Sequence, residues 1–168
     1  AVGALALDAN TTGGSNLAVG HNALGSNTTA SNNTAVGRDA MRDTTTGTQN
    51  ASFGTAALFT NSTGSNNTAI GFQALALSTT ASNNTALGFD SLKLNTTGTQ
   101  NTAVGAEALD ANTTGNFNDA FGKGSLSANT TGSQNVAVGS GALNANTTAN
   151  NNVAVGINAL NDNTEGTQ

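Results

Sequence analysis

The chain has 168 residues, of which 8% are charged, and a formal net charge of −5 at pH 7. Its four Lys and Arg residues do not make the basic surface that nucleic acid needs, and with no Cys there is neither a disulfide nor a zinc-thiolate site. No apolar run approaches the roughly 18 residues of a membrane-spanning helix, so no membrane insertion is expected.

From Ala1 onward the sequence repeats every 17 residues. Residues 1–15 are a partial unit that lacks its first two positions. Whole units start at Asn16, Asn33, Asn50, Asn67, Asn84, Asn101, Asn118, Asn135 and Asn152, with no insertion or deletion. The whole of 1–168 therefore reads as a single repeat array. It opens mid-unit, and Ala1-Val2-Gly3 and Thr164–Gln168 are ordinary repeat text rather than polar caps. Continuation into a longer fibre is expected, because uncapped strand edges invite further pairing.

Within the unit, position 1 is Asn, position 3 is Ala or Ser, and position 4 is Val, Ile, Leu or Phe. Position 5 is Gly in every unit, from Gly3 to Gly156. Position 8 is Ala or Ser, position 9 is Leu or Met, and position 12 is mostly Asn. Positions 13 and 14 are Thr with rare exceptions, and position 15 is Gly or Ala. Positions 6, 7, 10 and 11 vary.

A fixed short period is the mark of a solenoid. Seventeen residues are too few for a packed helix pair, and Thr, Asn and Gly are poor helix formers. The expectation is all-β: a β-solenoid, or β-roll, of about ten coils stacked about 4.7–4.9 Å apart. Stacked Asn residues would form amide ladders, and the Thr columns would form hydroxyl ladders. The constant Gly implies a positive φ or a close approach. Strand alternation with the largest apolar group inward would put positions 2 and 4 inside and positions 3 and 5 outside. Leu109 and its equivalents at position 9 would be a second inward anchor. Positions 6 to 11, Ala106–Ala111 in one unit, are also compatible with a helical turn.

Small residues held at outward positions imply close approach by another copy of the chain. Ala103, Ala108 and Ala120 are therefore candidate subunit-interface residues. Small cores need help from oligomerisation when disulfides and metals are missing. Phe72 and Phe89 share position 6 in consecutive coils, with Arg38 further along the column, and form a candidate contact patch. His21 is the only His and has no Cys or second His as a metal partner. The acidic residues form no fixed column, and Asp39 and Asp43 beside Arg38 and Arg42 read as a surface charge cluster. Neither a catalytic constellation nor a cofactor site is expected. Asn112-Thr113-Thr114 matches a glycosylation acceptor, but in a repeated ladder bonding between coils is the favoured reading.

At NTAVG and NVAVG, as in Asn135–Gly139 and Asn152–Gly156, the chain resembles the heads of trimeric autotransporter adhesins. With NTTG following AL, the unit is also similar to repeats of phage tail-fibre-like proteins. The resemblance covers every coil, although adhesin-head repeats are usually shorter. It implies a parallel homotrimer displayed on a cell or virion surface. A structural or adhesive fibre segment that meets a receptor or glycan is thus expected. The alternative is an ice-binding solenoid that uses the Thr columns.

Overall fold

The computed structural model describes residues 1–166. It is a parallel β-solenoid. Its nine strands are β1 (Leu17–Val19), β2 (Thr34–Val36), β3 (Ala51–Phe53), β4 (Thr68–Ile70), β5 (Thr85–Leu87), β6 (Thr102–Val104), β7 (Asp119–Phe121), β8 (Val136–Val138) and β9 (Val153–Val155). They lie in one sheet in sequence order, and eight turns of the chain connect them. Every strand pairs with the next exactly one repeat on, for example Ala103 with Ala120. An isolated bridge from Val2 to Val19 extends the same ladder into the partial first unit.

Hydrogen bonding between coils extends beyond the strands. Thr102 N–H donates to Asn118 O at 2.8 Å, Glu107 N–H to Phe89 O at 2.9 Å, Leu109 N–H to Ser125 O at 3.0 Å, and Thr113 N–H to Thr130 O at 2.9 Å. Nearly the whole coil therefore behaves as one layer of a ladder. That is how a chain so poor in large apolar groups satisfies its backbone.

Positions 6 to 11 form no helix. The chain turns there with left-handed residues at positions 7 and 9, such as Glu107 at φ 59° and Leu109 at φ 51°. Gly105 shows why position 5 is constant. Its φ is 135°, and a Cβ would lie 2.6 Å from the carbonyl carbon of Gly122 in the next coil. Both the positive φ and the close approach hold.

The two faces of the strand are the reverse of the sequence expectation. Position 3 is buried and positions 2 and 4 face outward: Ala103 is 0% exposed, whereas Phe121 is 41% exposed. The reason is the narrowness of the coil. Leu24, Met41, Leu58, Leu75, Leu92, Leu109, Leu126 and Leu143 fill the interior as one buried column. Buried Asn residues at positions 1 and 12 take much of the remaining space. Only Ala or Ser fits beneath the strand, so the larger side chains at position 4 face out.

Candidate contact surfaces

The buried amides set the shape of the coil. At position 1, Asn118 N–H donates to Asn101 Oδ1 at 2.9 Å, and its Nδ2 donates to Gly132 O at 2.8 Å. At position 12, Asn112 Nδ2 donates to Asn95 Oδ1 at 2.7 Å and to Gly115 O at 3.0 Å. Asn118 and Asn112 therefore each join two coils and close a turn within their own. Asn112 is fully buried, so it belongs to this ladder and is not placed to accept a glycan.

The two Thr columns have different roles. Position 13 hydroxyls donate along the axis, as Thr96 Oγ1 does to Thr113 O and Thr113 Oγ1 to Thr130 O, each at 3.0 Å. Position 14 points outward, and Thr97, Thr114 and Thr131 are exposed. Beside that column, position 17 carries exposed Ser15, Asn, Gln or Phe117 in left-handed conformation. This wall is polar and almost uncharged.

The strand wall is apolar. Phe53, Ile70, Leu87, Phe121 and Val138 stand exposed along position 4. Val19, Val36 and Val104 continue the column, half-buried. Across nine strands the stripe is roughly 40 Å long at the usual strand spacing. Position 6 borders it. Phe72 and Phe89 stack there with ring centroids 5.7 Å apart and planes 9° apart, and Phe89 remains 50% exposed. Thr55 separates Arg38 from Phe72 in the column, and Arg38 lies 3.7 Å from Asp39 instead. The proposed patch of Phe72, Phe89 and Arg38 is thus an aromatic pair with a separate ion pair further along.

Ala103, Ala108 and Ala120 are wholly buried within one chain and have no surface to offer a second copy. This corrects their placement at a subunit interface. They lie in one buried cluster with the Leu column of position 9. The residues that do form an outer face are the large ones at position 4, which size alone had placed inside.

The charge cluster is more specific than the sequence suggested. Arg42 donates through Nε and Nη2 to both carboxylate oxygens of Asp43, at 2.7 and 2.8 Å. Its guanidinium also lies 3.7 Å from the Phe59 ring centroid, a contact the sequence reading missed. The hydrogen bond that Arg42 donates to Asp43 raises its pKa. Asp110 is shifted upward, chiefly by burial, and the nearby Glu107 and Asp90 add to the shift. Lys93 Nζ meets Asp90 at 3.0 Å. His21 is exposed. Among the described residues there is no pocket, and no group of three or more His, Cys, Asp or Glu residues could hold a metal ion.

These features define a β-solenoid repeat protein with 17-residue coils and Asn ladders. No family model, curated protein or solved structure matches the chain.

Proposed function

We propose that the chain is a non-enzymatic structural segment of an extracellular fibre, such as a surface adhesin or tail fibre, and that it assembles sideways with copies of itself. The observation that carries this reading is the exposed apolar stripe of the strand wall. It is a contiguous exposed apolar stripe about 40 Å long, and contiguous exposed apolar surface signals an interaction site. The stripe repeats with the coil, and a second copy of the chain has the same axial period. Copies can therefore cover one another layer by layer, which a globular partner without that period cannot do. The number three and the setting on a cell or virion surface rest on the resemblance of NTAVG and NVAVG to adhesin heads. The polar wall at positions 14 and 17 would then face outward and be free for a receptor.

The test is to replace Ile70 and Leu87 with Lys. Both side chains point away from the core, so the single chain should fold. Sedimentation should show the wild-type chain as a stable oligomer and the double variant as folded monomers. An oligomer unchanged by the two substitutions would refute self-association through this wall.

Ice binding is a second reading with one observation in its favour. The position 14 Thr residues form a regular exposed column, whereas the hydroxyls of position 13 are taken up by the coil. That column is one residue wide, and position 16 beside it is half-buried. Thermal hysteresis in solutions of the wild-type chain, lost on replacing Thr97, Thr114 and Thr131 with Lys, would support this reading over the fibre.

A further inference from the structure

A repeat array that packs sideways on itself meets a problem of register. A neighbouring copy displaced by one coil, about 4.7–4.9 Å, meets almost the same apolar face. The coil at 118–134 is different. Asp119 is the only charged residue at positions 2 and 4 of the whole array. It stands half-buried on β7, paired in register with Thr102 of β6 and Val136 of β8. Phe117 and Phe121 flank it along the chain, both exposed. Its carboxylate has no hydrogen bond or ion pair among the described residues. In the coils on either side, the only charged residues are Glu107 and Asp110, both acidic and both in the preceding coil.

The same coil holds the one Lys or Arg side chain without an ion pair among the described residues. Arg38, Arg42 and Lys93 lie 3.7, 2.7 and 3.0 Å from Asp39, Asp43 and Asp90. Lys123 has no carboxylate within that range among the described residues. It occupies position 6, two residues beyond Phe121, at the border of the apolar stripe, and it is exposed. One anion and one cation, each without a partner among the described residues, therefore sit at the two edges of the strand wall at one height.

We propose that Asp119 of one copy pairs with Lys123 of the next, and that this pair fixes the axial register of lateral assembly. The inference rests on self-association through the strand wall. Copies related by rotation about an axis parallel to the rod bring the position 2 edge of one wall to the position 6 edge of its neighbour. In register, the two charges meet. A slip of one coil sets Asp119 of one copy against Ala106 or Ser140 of the other, and Lys123 against Thr102 or Val136. Both charges are then left opposite neutral side chains without a partner, a disfavoured state where the contact excludes water. A lone polar group in an apolar seam fixes register in coiled coils for the same reason. The pair works mainly by penalising the wrong alignments.

Disulfide trapping between full-length chains tests this. A Thr102→Cys chain mixed with an Ala106→Cys chain can cross-link only when identical coils meet. A Thr102→Cys chain mixed with a Phe89→Cys chain cross-links only after a one-coil slip. With Asp119 and Lys123 intact, the first mixture should cross-link and the second should not. Asp119→Thr restores the residue found at this position in Thr34, Thr68, Thr85 and Thr102, so the fold should tolerate it. In that background the slipped product should appear at a yield comparable to the aligned one. The exchange Asp119→Lys with Lys123→Asp should again suppress it. Slipped product in the presence of both native charges, or no effect of Asp119→Thr, would overturn the register role while leaving self-association standing. Oligomers without the aligned product would also overturn it. Chains that sediment as monomers would overturn self-association itself, and this inference with it.

Discussion

Thr44 and Ser78 interrupt the position 12 amide ladder, and the interruption leaves a trace on the preceding coil. Asn27 Oδ1 and Asn61 Oδ1, which would accept from the amides that Thr44 and Ser78 replace, are buried without a hydrogen-bond partner. The Thr44 and Ser78 hydroxyls are likewise unpartnered. Thr44→Asn and Ser78→Asn should each restore the link seen from Asn112 to Asn95 and stabilise the fold by about 1 kcal/mol, the usual net value of a hydrogen bond. Thermal or denaturant unfolding of the two variants checks this. Asp110 gives a second prediction at this scale. Its pKa is raised in the folded chain, so in the pH range just above its unfolded value the folded state holds the proton more tightly. Stability contributed by the protonated group is present in acid and is lost as pH rises through the folded pKa. Asp110→Asn should therefore unfold at a higher temperature than wild type at pH 7, and the difference should shrink as the pH falls below the ordinary carboxylate range. The Asn ladders were legible from the sequence because identical residues recur at one period. Asp110 was not, because its partial burial follows from the left-handed turn at Glu107 and Leu109.

At the scale of one coil, the Leu of position 9 is the main apolar filling. Leu109 is fully buried in the same core as Leu92 and Leu126. Leu109→Ala should cost about 2–5 kcal/mol. In a one-dimensional stack the damage spreads mainly to nearest neighbours. Hydrogen exchange should lose protection first around residues 92–126 and less toward either end. A uniform loss across all coils would contradict a stack of locally coupled layers. The 17-residue period and the parallel ladder were readable from the repeats alone. The face of the strand was not. Alternation puts positions 2 and 4 on one side, but it does not say which side. Choosing the larger side chain as the inward one ignored Leu109, which already fills the narrow interior. The left-handed turn at Glu107 and Leu109 was also hidden, since Leu is an unusual occupant of positive φ and AEAL reads locally as helix.

At the scale of the molecule, the coil leaves an apolar wall and a polar wall on a rod whose interior is mostly Ala, Leu and Asn. Such an interior is small for the length of chain it must order, which favours burial of the strand wall against further copies. The sequence pointed to oligomerisation through the size of the core, and the exposed apolar strand wall adds to that proposal. It named Ala103, Ala108 and Ala120 as the contact, and the inversion of the strand moves the candidate contact to Phe53, Ile70, Leu87 and Phe121. Sedimentation of the wild-type chain across the micromolar range, beside the Ile70→Lys, Leu87→Lys variant, tests the central claim most directly. The predicted result is a wild-type oligomer and a folded, monomeric variant. A wild-type chain that remains a folded monomer throughout, with its apolar wall open to water, would contradict it.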